Sequence, residues 1–173
     1  MLKLMRLSVF FGLVLCVFQV CAEDSFQVEL VVFSQDMPST ELFDQTQTRI
    51  QWPDAVLDID VLGSVAETAK MLKPVYDKLA VQLSYNVLMH AAWQQTLSAN
   101  ATGEAVRIKD VSGEVSGFVR IQRGEYLELI LDLEFQPLPN QFYRLNEVRR
   151  IKFNEQHYFD HPKFGVVAIV KPL

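Results

Sequence analysis

Residues 143–173, YRLNEVRRIKFNEQHYFDHPKFGVVAIVKPL, decide how the rest of the chain is read. They read as two long strands joined by a tight turn. Leu145, Ile151 and Phe153 alternate with Arg150, Lys152, Asn154 and Gln156, the period-two pattern of a half-buried strand. Asp160-His161-Pro162-Lys163 supplies the turn, because proline fixes φ and an aspartate bonds its own downstream backbone. Residues 164–170 are apolar on both faces, which predicts an interior strand covered twice.

Upstream, FQVELVVF (26–33) has the same two-sided apolar character and predicts a second interior strand. Residues 85–97 alternate as a strand, and 114–122 and 125–135 form a hairpin about Arg123-Gly124. Leu127, Leu129, Leu131, Leu133 and Phe135 lie on one side of that hairpin, opposite Glu128, Asp132 and Glu134. Ser64 and Glu67 make a capping-box pattern, and Pro74 breaks the run, so a kinked helix is expected as a short piece at 65–72 and a better one at 74–82. Residues 34–62 read as a long surface excursion pinned by Trp52, and 98–112 as a polar loop. The sum is an α+β fold, a mostly antiparallel sheet of about six strands with one kinked helix packed on one face.

The chain has 173 residues, half of them hydrophobic, with a formal charge of −5. Lys3 and Arg6, an uncharged run over 7–20, and Val20-Cys21-Ala22 read as a secretory signal peptide over 1–22, followed by a single domain over 23–173. The run is shorter than the roughly 20 residues of a membrane span. Cleavage there removes Cys16 and Cys21 together with Lys3 and Arg6, leaving no cysteine and taking the charge from −5 to −7. Thiol chemistry is thereby excluded from the mature chain, and so acidic a domain is a poor partner for nucleic acid. A cleaved leader with no later membrane span points to the periplasm, and a core of adequate size without a disulfide is compatible with that compartment.

His157, Asp160 and His161 are three metal-ligand types within five residues, but a strand entering a turn does not make them converge as zinc requires. Arg149, Glu155 and His157 share a face if the alternation holds, as a paired polar network or a pocket. No serine stands in a nucleophile elbow, and Gly113, Gly117 and Gly124 are spread through a hairpin rather than set before a helix. No metal or other cofactor is expected. The residues leave three readings open: a binding module, a small hydrolase built on Glu155, His157 and Asp160, and a structural partner of another envelope protein.

The closing stretch, with its Arg149-Arg150 pair before E-x-H-Y-x-D-H-P-x-F-G, resembles the CsiV family of periplasmic peptidoglycan-binding proteins. FQVELVVF, Trp52-Pro53, YNVLMHAAWQQ and the leucine strand with Asp132 stand in the family's order. The resemblance implies a non-enzymatic envelope protein that binds peptidoglycan and acts with a lipoprotein activator of a class A penicillin-binding protein, supporting wall assembly and cell shape. By position it carries over Arg149, Arg150, Glu155, His157, Tyr158, Asp160 and His161 as candidate binding residues; the binding-module reading adds Trp52 and Trp93, since sugar rings stack on exposed indoles whereas a buried one is only an anchor. Glu125 and Glu128 replace the basic residue and histidine of the family's pattern, and Gln156 a leucine. That strand thus lacks the positive charge that acidic peptide stems would seek.

Overall fold

The structure, a computed structural model, describes residues 23–35 and 50–173. The expected signal peptide and part of the excursion lie outside the described residues. The strands are β1 (Glu23–Gln35), β2 (Val56–Asp58), β3 (Gly63–Ser64), β4 (Tyr85–Ser98), β5 (Ala101–Thr102) and β6 (Ala105–Lys109). They continue with β7 (Val115–Arg123), β8 (Leu127–Leu138), β9 (Gln141–Ile151), β10 (His157–His161) and β11 (Phe164–Pro172). A single α-helix among the described residues, α1 (Lys73–Ala80), stands between β3 and β4.

These strands form two sheets rather than the one expected. The first runs β10-β11-β1-β4-β3 and is antiparallel throughout. The second runs β2-β6-β7-β8-β9, with β5 also on β7, and is mixed because β2 lies parallel to β6. Their inner faces meet in one core. Phe26, Val28, Leu30 and Val32 of β1 pack there with Trp93 of β4, Phe159 of β10 and Phe164, Val166 and Val170 of β11. Val119 and Ile121 of β7 and Leu129, Leu131 and Leu133 of β8 face them from the other sheet. The alternation of β1, β8 and β11 is thus the alternation of a sandwich.

The outer face of the first sheet carries a third layer. Val31 and Ile169 bury against Leu72, with Val75, Tyr76 and Leu79 of α1 packed around them. This is why β1 and β11 are apolar on both faces, as the sequence predicts. The helix itself is one short rod of 8 residues, not a kinked pair. The capping-box segment forms only a 3-10 turn at Glu67–Ala69. The helix start is fixed instead by Glu29 of β1, which is fully buried. Its carboxylate accepts the amides of Met71 (2.6 Å) and Leu72 (2.8 Å) and the Nε2 of His90 (2.7 Å). A strand carboxylate thereby anchors the helix entry by satisfying the amides of the N-cap, Leu72, and of the residue before it.

The closing segment is also divided. β9 pairs with β8 in the second sheet, whereas β10 and β11 form a hairpin in the first. The chain crosses between sheets over 152–156, where Asn154 takes φ 61° and its amide donates to Val170 O at 2.9 Å. Asparagine tolerates that left-handed conformation better than most residues. Phe153 fills the crossing by stacking on Phe26, ring centres 5.4 Å apart.

Candidate functional site

The crossing separates residues that the sequence places on one strand. Arg149 lies at the open side of the sandwich, where its Nε donates to Glu147 (2.7 Å), its Nη1 to the carbonyl of Tyr158, and its guanidinium covers Phe159 at 4.5 Å. It clasps β9 of one sheet to β10 of the other. Arg150 points to the opposite face, where it is exposed and lies over Tyr126. Glu155 is in the crossing and meets Lys152 Nζ at 3.4 Å. His157 Nε2 accepts the Lys152 amide at 3.1 Å and so staples the crossing.

On β10, Phe159 faces the core, so Tyr158 and Asp160 face outward while His157 and His161 do not. The Tyr158 hydroxyl donates to Asp160 Oδ1 at 2.6 Å, and Gln35 Nε2 reaches the same oxygen at 3.4 Å. Burial first, then the bond to Asp160, pushes the Tyr158 phenol well above its ordinary range. His161 packs between Tyr143 (5.7 Å) and Phe164 (5.2 Å), and its Nδ1 accepts the Lys163 amide. Within the proposed hydrolase set, Glu155 and His157 both engage Lys152, through its Nζ and its amide, whereas Asp160 holds the Tyr158 hydroxyl. Among the described residues, no three His, Cys, Asp or Glu side chains are grouped to hold a metal ion.

The two tryptophans part company. Trp93 is 0% exposed in the core, its indole donating to Gln95 Oε1 at 2.7 Å, so it drops out as a stacking platform. Trp52 is 42% exposed, resting on Phe118 (6.0 Å) with the Arg107 guanidinium 4.7 Å from its ring. It pins the excursion to the outer face of the second sheet and still presents a ring to solvent. Nearby on that face Asp132 is buried against Arg144, bonded through both oxygens at 2.7 Å, and is not part of a solvated acidic row.

A concavity lies elsewhere, along β4. A cleft of about 880 Å³ is lined by Ser25, Gln94, Gln95, Thr96, Ser98 and Thr102, with Leu57, Leu62, Leu97 and Val106 as apolar surface and Glu23 and Glu104 as its acids. A second cleft of about 620 Å³ shares Leu62 with it and continues past Met89 to Ala92. A third of about 330 Å³ shares Lys70, Met89 and His90 with the second. Residues 87–98 of β4 thus line three successive clefts. The sequence reading passes over them, since QQTLS reads only as the polar end of a strand; the consecutive neutral hydrogen-bonding side chains are the signal it holds.

The chemistry of the first cleft is that of a polyhydroxyl ligand: amides and hydroxyls that both donate and accept, over an apolar floor, with few charges. A comparison with protein families supplies the class. Residues 61–173 match the model described as "Peptidoglycan-binding protein, CsiV", and the chain belongs to that family. The match begins before β3 and includes α1 and every element after it, so almost all of the β4 cleft wall lies inside it. Neither curated proteins nor solved structures give a match. No helix among the described residues is long and apolar enough to cross a membrane.

Proposed function

We propose that the chain is a non-enzymatic periplasmic module, spanning residues 23–173, that binds peptidoglycan by laying a glycan strand in the cleft at the end of β4. It acts in wall assembly and cell shape together with a lipoprotein activator of a class A penicillin-binding protein. The observation that carries the binding part is the 880 Å³ cleft inside a family of peptidoglycan-binding proteins, its polar lining dominated by neutral side chains. Sugar rings offer hydroxyls and acetamido groups at their edges, which pair with amide and hydroxyl side chains without the desolvation cost of charges. The engagement of Glu155 and His157 with Lys152, and of Asp160 with Tyr158, supports binding rather than bond cleavage. The leader pattern and the family's polymer support the compartment.

Co-sedimentation of the purified mature chain with sacculi tests the reading. The chain pellets with sacculi, and the Ser98→Ala/Thr102→Ala pair, which removes two cleft hydroxyls, pellets about tenfold less well, as loss of one to two hydrogen bonds implies. A wild-type chain that stays in the supernatant like a control protein removes the reading. Capture of the lipoprotein activator by immobilised mature chain tests the partner, and no capture removes that part alone.

A further inference from the structure

Val115, Val119 and Ile121 of β7 face the core, so Phe118, Arg120 and Gln122 lie on the outer face of the second sheet. Arg120 differs there from two arginines near it. Arg107 is paired with Asp58 and Arg144 with Asp132, whereas Arg120 makes no ion pair or hydrogen bond among the described residues. Its Nε is shut off from solvent with no acceptor. Buried donors left in this state are rare and cost stability, so such a group marks a place for an acceptor from outside the chain.

Beside it lies an aromatic surface. Phe118 is two residues along the same face, roughly 7 Å away by strand geometry. Trp52 rests on Phe118 at 6.0 Å between ring centres and is 42% exposed. The remaining neighbours set the charge of what can bind. Ile130 stands opposite Arg120 on β8, flanked by Glu128 and by Asp132, whose oxygens are both taken by Arg144. A carboxylate reaching Arg120 would meet Glu128 as well, and the ion pairs beside it offset their own charges. A guanidinium only donates, so the group that fits is a neutral carbonyl oxygen. Resting on the peptidoglycan reading above, we infer that this outer face is a second glycan subsite, where an N-acetylated sugar stacks on Trp52 and its acetamido carbonyl accepts from Arg120. Neither Trp52, Phe118 nor Arg120 lines the 880 Å³ cleft, so the two subsites hold separate stretches of the polymer.

The test titrates a tetramer of N-acetylglucosamine into the mature chain and follows the quenching of tryptophan emission by an aqueous quencher. Trp52 becomes shielded while the buried Trp93 stays silent. A neutral glucose tetramer, which can stack but lacks the acetamido carbonyl, binds about tenfold less well. Arg120→Met weakens the affinity about tenfold with its urea midpoint unchanged or raised, since it removes an unsatisfied donor and keeps an apolar stem. No shielding at millimolar sugar, equal affinity for the two tetramers, or an Arg120→Met chain that binds like the wild type or unfolds at lower urea overturns the inference. Ser98→Ala/Thr102→Ala separates this subsite from the cleft: shielding that survives the pair belongs to the outer face, and shielding lost with it overturns the inference. Pelleting on sacculi without shielding keeps the cleft and sinks this subsite. Shielding in a chain that does not pellet keeps this subsite and sinks the cleft.

Discussion

Gly165 of β11 lies beneath the ring of Tyr158 on β10: a Cβ built on it would stand 2.8 Å from Tyr158 Cε2 and 2.7 Å from Phe33 Cζ. Phe33 and Tyr158 stack over the gap with ring centres 6.2 Å apart. Gly165→Ala is expected to cost about 1–3 kcal/mol by overpacking, with a smaller cost in a Tyr158→Ala background. Gly117→Ala costs more, because φ there is 148° and the obstruction is the backbone of Asp132 and Leu133, which cannot swing away. Urea unfolding of the four variants checks the order, and equal losses at the two glycines would contradict it.

The partial burial of the Tyr158 phenol, together with its bond to Asp160, predicts an alkaline weakness. The folded state holds the Tyr158 proton to a higher pH than the unfolded chain, whose phenols ionise near 10.0. The stabilisation is fully present below that value and is lost as the pH rises through it towards the folded pKa. Tyr158→Phe flattens this part of the stability curve above pH 10. An identical alkaline slope in the variant and the wild type would assign the loss to other groups.

Glu29→Ala leaves the amides of Met71 and Leu72 and the His90 ring without their buried acceptor. The expected loss is about 3–5 kcal/mol, since the orphaned groups stay dry. Amides of α1 should then exchange far faster than those of β8, which lies in the other sheet. Uniform acceleration across both would show that α1 is not docked through Glu29.

The tryptophans give a third contrast. Trp93→Ala empties the core and costs about 3–5 kcal/mol. Trp52→Ala removes a partly exposed ring and costs about 1 kcal/mol. An aqueous quencher reaches Trp52 emission and leaves Trp93 untouched. If Trp52→Ala pellets with sacculi as the wild type does, its ring is an anchor only.

Arg149→Ala frees the Tyr158 carbonyl and uncovers Phe159. We expect a loss of about 1–2 kcal/mol and faster exchange confined to β9, β10 and the crossing. Arg149→Lys restores little, since lysine lacks the planar fork that meets Glu147 and the carbonyl together.

The strands legible in the sequence are those whose burial is local in pattern. β8 shows its buried face in alternate residues, β1 and β11 show by apolar residues on both faces that they are covered twice, and the hairpin at Arg123-Gly124 is where the sequence puts it. What escaped the reading depends on partners far along the chain. Alternation runs unbroken through Leu145, Ile151 and Phe153, so nothing periodic marks the change of sheet that Asn154 makes. β6 has only 5 residues, with Val106 and Ile108 as its inward pair, too short to stand out from a polar stretch. The helix start is set by Glu29, more than forty positions upstream of the amides it caps, and no local capping rule could find it. The motif DHPKFG is legible as a turn, and the structure gives its residues architectural work: His161 packs, Phe164 is buried and Gly165 makes room. The β4 clefts needed the fold, because Ser25, Leu57, Gln94 and Thr102 line one cleft only through it.

The pairing of β1 with β11 ties residues 26–34 to residues 164–172. A nascent chain can lay β4 beside its first strand, but the other flank of β1 has no partner until the last codons are read, and the closure of so long a loop is entropically slow. Premature termination between His161 and Phe164 therefore leaves β1 bare on one flank and β10 without its partner, and the truncated product is a substrate for proteases rather than a smaller working protein.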